Sequence, residues 1–253
     1  MSRTTSERDQ ILKKVQEDAA LCPFAKRVVP ASCYDTIVTV TVGAGEEKKT
    51  FQVYKGLISF HSSYFARAFN GSFSEAEKET VELPEDEVDV FDIFYYWINS
   101  GRLRGPLRLD VPQVPLPWAL LINLWIFGDA RGRPAFKNAV IDALTRKSND
   151  ESCFPGPGTI NRVYKNTLDA SLLRKWTVLS ALQVLSLKVL TQRIETYPPE
   201  FAGDWTKALS ANVIDDGKTV FNAVLKKGLE AIKVGCQFYD HTTPEEHAHW
   251  TQT

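Results

Sequence analysis

The chain has 253 residues, with 30 basic and 31 acidic side chains giving a net charge of −1, and it is 43% hydrophobic and 11% aromatic. That length and apolar content allow one large or two modest domains with real cores, and they exclude disorder as the default. The balanced charge supplies no bulk attraction for nucleic acid or an anionic membrane, so neither is expected as a partner.

Residues 6–20 place Ile11, Leu12, Val15 and Ala19 on one stripe of a short amphipathic helix. Packing on its own domain, crossing to a second copy and fraying all stay open for it. A connecting loop follows to Ser32. Residues 34–42 then alternate with period two, placing Ile37, Val38, Val40 and Val42 in a β-branched strand, and residues 46–54 read as its hairpin partner. Gly43-Ala44-Gly45 between them lacks a following Gly-Lys-Ser/Thr and reads as a turn rather than a phosphate cradle. The period then changes: Leu57, Ile58, Phe60, Tyr64, Phe65, Ala68 and Phe69 recur at helical spacing, with Ser62 and Ser63 offering an N-cap between two short helices and Gly71 ending them. A short strand in TVELPED and a strongly apolar helix from Val88 onward complete the unit.

Strand, strand, helical hairpin, strand and helix, with these side chains, resemble the BTB (POZ) domain, particularly its many fungal members. The residues that carry the resemblance are Tyr34-Asp35 at the start of the first strand, Phe51, Val53, Lys55 and Leu57, Ser63-Tyr64-Phe65, Leu83-Pro84-Glu85-Asp86, and the helix end from Trp97 to Gly101. Tyr54 stands where the family usually has histidine, so a hydrogen bond from that imidazole is not expected here. The resemblance implies a charged pocket with Asp35 as its acidic and Lys55 as its basic member; the alternative is an exposed aspartate at a strand edge. It also implies that Phe73-Ser74-Glu75 is similar to the hydrophobic-x-Glu element by which BTB adaptors bind the cullin-3 scaffold of ubiquitin ligases. The alternative is that Phe73 folds back onto Tyr64 and Phe65. Self-association as a homodimer is implied as well, with Ile11, Leu12 and Val15 as a possible dimer contact.

Beyond this unit, Pro106, Pro112, Pro115 and Pro117 forbid a continuous helix and make a linker or elaborated loop. The helical period resumes over 118–147 as a helix pair, with Pro134 in a first helical turn. A Gly/Pro-rich run at 150–159 marks a boundary. The remainder reads all-helical, with Asp169 as a possible cap, and shows no fixed-period repeat such as kelch or ankyrin and no zinc-finger spacing.

No catalytic constellation is found. Ser59, His61 and Ser62 lie in one helical stretch without an orienting partner, and His61 reads as a helix-surface residue. Carboxylates between Glu75 and Asp92 read as solvated charges. Metal-ligand residue types cluster only in the tail, at Cys236, Asp240, His241, His247 and His249, where solvated histidines are favoured over a closed zinc site. The four cysteines, Cys22, Cys33, Cys153 and Cys236, are too dispersed for a disulfide scaffold and read as reduced intracellular thiols. The amino end lacks an apolar signal region, and the apolar segment at 172–190 is broken by Arg174, Lys175, Gln183 and Lys188, so a cytoplasmic or nuclear protein is expected.

The resulting expectation is an α+β BTB/POZ fold, a three-stranded sheet flanked by helices, followed by an all-helical carboxyl region. Its divisions are 1–33 (helix and loop), 34–147 (BTB domain with proline-rich loop and helix pair) and 159–253 (helical). The expected activity is non-enzymatic protein–protein interaction without a cofactor. Expected partners are a second copy, a cullin-3 scaffold, and an unidentified protein on the carboxyl-terminal helices. Alternatives are a self-associating scaffold without a ligase link and a metal-dependent enzyme using the histidine tail.

Overall fold

A computed structural model describes residues 29–71, 74–103, 116–184 and 192–211. The alternating β-branched run forms β1 (Ile37–Val42), and the run after the glycine turn forms β2 (Lys49–Tyr54), antiparallel to it with Val38 opposite Val53 and Val40 opposite Phe51. Gly43 and Gly45 take φ of 82° and 61°, the left-handed values this hairpin connection requires and a side chain resists. β3 (Thr80–Leu83) lies on the other side of β1 and runs parallel to it, giving the order β2-β1-β3. β2 ends beside the start of β1, where β3 also begins, so the link from β2 to β3 has only to pass β1. It is made by α1 (Lys55–His61), α2 (Ser63–Asn70) and α3 (Ser74–Lys78).

One sheet face carries Val38, Val40, Val42, Phe51, Val53, Val81 and Leu83, all buried. Onto it packs α4 (Val88–Ser100), whose Phe91 ring lies 4.7 Å from that of Phe51. The helix stops at Gly101, whose φ of 70° lets its N–H reach back to the Trp97 carbonyl at 2.8 Å. The expected helix pair appears as α5 (Trp118–Ala130) and α6 (Pro134–Glu151), the second running four residues beyond its expected end. Beyond them the described residues include α7 (Pro157–Asn166), α8 (Leu172–Val184) and α9 (Pro199–Ala211).

The Gly/Pro run at 150–159 is a tight connection: Ser152 takes φ of 48° at the end of α6, and Pro157 starts α7 at a position where a missing N–H costs nothing. Buried side chains on both sides of it, from Val38 to Trp205, belong to one contiguous hydrophobic cluster.

Three local expectations are corrected. β1 begins at Ile37, because Ala31–Cys33 forms a 3₁₀ turn that leaves Tyr34 and Asp35 ahead of the strand. Asp169 does not cap α8: it accepts a hydrogen bond from Arg174 Nη1 at 2.6 Å, and the Ser171 hydroxyl accepts the Leu173 N–H at 3.2 Å. His61 is half-buried, its ring 4.9 Å from that of Trp97, because the last turn of α1 leans on α4.

Candidate interaction site

The amino end of the domain is organised around α1. Its first N–H groups have no partner within the helix, and a carboxylate is a favourable occupant there. Asp35 fills that role from outside the helix: its Oδ1 accepts the Gly56 N–H at 2.8 Å. The Lys55 backbone N–H is likewise satisfied, by the Thr36 carbonyl at 2.7 Å. A Cβ on Gly56 would lie 2.7 Å from Cys33 Cα, so the 3₁₀ turn presses directly on the start of α1. Asp35 is exposed, and no ion pair joins it to Lys55 among the described residues. Among the described residues this carboxylate is satisfied by a helix terminus, and a charged pocket shared with Lys55 remains an expectation.

At the α1–α2 junction, Ser62 is the N-cap that its sequence context suggests, accepting the Phe65 N–H at 3.2 Å. The same hydroxyl donates to the Arg131 carbonyl at 2.9 Å. Arg131-Gly132-Arg133 is the turn between α5 and α6, and it meets this junction at several points. The Arg131 guanidinium pairs with the Asp86 carboxylate in the turn after β3 and lies 4.7 Å from the Tyr64 ring. Gly132 takes φ of 61°. Arg133 is 0% exposed, with its guanidinium carbon 3.4 Å from the ring centroid of Phe94, 4.8 Å from that of Phe65 and 5.3 Å from that of Phe127. Its three nitrogens have no hydrogen-bond acceptor among the described residues. Burial, and then the neighbouring Arg131 charge, hold its pKa well below the ordinary arginine value, while Asp86 opposes them. Nothing in the sequence pattern exposes this residue as internal; only the Gly between two helical periods points to a turn.

The Phe73-Ser74-Glu75 triplet is only partly visible. Phe73 lies outside the described residues, whereas Ser74 opens α3 and Glu75 is half-buried in its first turn. α3 contacts α2 and β3, the elements before and after it in the chain. Ile11, Leu12 and Val15, the proline-rich loop at 104–115 and the Cys/His tail also lie outside the described residues.

A second polar cluster escaped the sequence reading. Glu87, at the N-cap of α4, accepts from Asn123 Nδ2 of α5 at 2.8 and 3.0 Å and from Arg162 Nη2 of α7 at 2.8 Å. It joins three helices at an exposed position, where the energetic yield of an ion pair is small. Among the described residues, Cys33 and Cys153 are free thiols, no three metal-ligand side chains converge, and no helix is long and apolar enough to cross a membrane.

Comparison with known proteins agrees with this architecture. A family model for the BTB/POZ domain matches residues 31–111. A stretch of 55 residues is 33% identical to the Kelch repeat protein M-T8 of Myxoma virus (strain Lausanne), covering 22% of this chain and 11% of that protein's length. With the sheet order β2-β1-β3, the three-helix crossover and the helix closing on the sheet all in place, residues 31–111 are a BTB/POZ domain, a type of module that typically mediates protein–protein interaction without catalysis.

Proposed function

We propose that this chain is a non-enzymatic interaction protein whose BTB/POZ domain self-associates and presents the Phe73-Ser74-Glu75 element to a cullin-3-type scaffold. The observation that carries this reading is the place of α3: it follows the α1–α2 hairpin, where BTB adaptors present their hydrophobic-x-Glu element, and it contacts α2 and β3, its neighbours in the chain. In such a contact the aromatic side chain fills a pocket and the carboxylate fixes register.

The division of labour follows the chain. Residues 34–147 supply the self-associating and scaffold-facing unit, with Ile11, Leu12 and Val15 adding to the two-fold contact, and the helices within 159–253 recruit a second protein. The viral relative is a kelch repeat protein, whereas no kelch period occurs in this sequence, so the described helices α7, α8 and α9 take the recruiting role here.

Calorimetric titration of the full chain with the amino-terminal region of cullin-3 tests the adaptor role. Saturable binding is the expected result. Absence of binding at high micromolar concentration would remove the ligase link and leave a self-associating scaffold.

A further inference from the structure

We infer that the Arg131-Gly132-Arg133 turn is a clamp that positions the α1–α2 hairpin, with Arg133 acting as the internal ligand of an aromatic cage. Four consecutive residues at the start of α2 each meet this turn. Ser62 Oγ donates to the Arg131 carbonyl. Ser63 Oγ would be 2.3 Å from a Cβ on Gly132, so the turn backbone lies against it with no room for a side chain. The Tyr64 ring faces the Arg131 guanidinium, and the Phe65 ring faces that of Arg133. Asp86 anchors the far side of the clamp to the turn after β3.

The choice of arginine is informative on physical grounds. Among the described residues no acceptor meets this fully buried guanidinium, which therefore bears a large desolvation cost, and Asp86, the carboxylate that counteracts it, is already paired with Arg131. Its compensation is the faces of three rings, contributed by α2, α4 and α5, which attract a cation in a defined orientation. An apolar side chain of similar size fills the same space without the desolvation cost, but it has no reason to prefer ring faces. The cage therefore secures position rather than stability. Because α2 leads into α3, this clamp sets where Glu75 stands; its link to partner binding rests on the function proposed above, while the clamp itself does not.

Amide hydrogen exchange on the full chain separates the two. Arg133→Met is expected to keep or raise the melting temperature while amides in 63–70 exchange at least about tenfold faster, with β1, β2 and β3 unchanged. Arg133→Ala is expected to loosen the same segment, and millimolar methylguanidinium is expected to restore its protection by re-entering the cage. Gly132→Ala supplies a milder variant, whose effect on 63–70 should be partly relieved by adding Ser63→Ala. Wild-type protection of 63–70 in Arg133→Met, loss of protection spread equally over all elements, or no response to methylguanidinium would overturn the clamp. Failure of the wild-type chain to bind cullin-3 would remove the adaptor reading and leave these exchange results untouched.

Discussion

Asp35 Oδ1 accepts the backbone N–H of Gly56 at 2.8 Å, so a carboxylate standing ahead of the first strand caps the first helix 21 residues later. The contact explains how an exposed aspartate is fixed without a cationic partner. Asp35→Ala is expected to lower stability by about 1 kcal/mol, the scale of a lost helix cap, and Lys55→Met to change it by less than about 0.5 kcal/mol. Gly56→Ala should be the most damaging of the three, since its Cβ would meet the Cys33 backbone at 2.7 Å. Thermal denaturation of the three variants checks the order; a Lys55 variant as damaging as the Asp35 variant would favour the charged pocket instead.

The hairpin, the Ser62 cap and the apolar α4 were legible because each is specified by neighbours in sequence: period two for β1, a serine ahead of a helical run, and Gly101 where a left-handed residue ends a helix. The buried cation was not. Its cage is assembled from Phe65, Phe94 and Phe127, each on a different helix, and an arginine in a polar-looking turn is ordinarily exposed. Asp169 shows the same limit at short range: its carboxylate accepts from Arg174, and the Ser171 hydroxyl accepts the Leu173 N–H instead. The Asp35–Gly56 contact is equally hidden in the sequence, because its two partners lie in different elements.

The connection at 150–159 gives a second prediction. Ser152 and Cys153 are exposed there, whereas the strands and α4 are buried against one another. Limited proteolysis is expected to cut within 150–159 before cutting within 34–103. Earlier cleavage inside 34–103 would contradict the division of the chain proposed above.

Tyr164 links α7 to α9, its hydroxyl donating to Asp204 Oδ2 at 3.1 Å. Burial first, then the Asp204 charge and hydrogen bond, hold its pKa above the ordinary tyrosine value, with Arg174 opposing. The unfolded chain loses this proton near pH ~10 while the folded chain retains it, so the stabilisation is fully present below about pH 10 and is lost above it. Burial raises Tyr197 in the same direction and lowers Lys175, whose contribution has the opposite sign. The Tyr164 share is isolated by Tyr164→Phe: between about pH 9 and about pH 11, the wild-type melting temperature should fall more steeply than the variant's. Parallel slopes would remove Tyr164 as the source.

Phe73→Ala distinguishes a partner anchor from a core residue. As an anchor in a desolvated pocket, its loss should weaken cullin-3 binding by about 2 kcal/mol, roughly thirtyfold, and leave the fold intact. As a core residue, it should cost about 3–5 kcal/mol of stability. Glu75→Lys is expected to abolish the contact by reversing the charge that fixes register. Calorimetric titration paired with a melting curve reads both variants.

Sedimentation velocity of the full chain, alone and mixed with the amino-terminal region of cullin-3, tests the interaction reading in one measurement. The chain alone should sediment as a dimer at tens of micromolar, since a contact of ~10⁻⁵ M corresponds to about −7 kcal/mol, and the mixture should move as one larger boundary. A monomer whose boundary is unchanged by the cullin fragment would contradict both the self-association and the adaptor role.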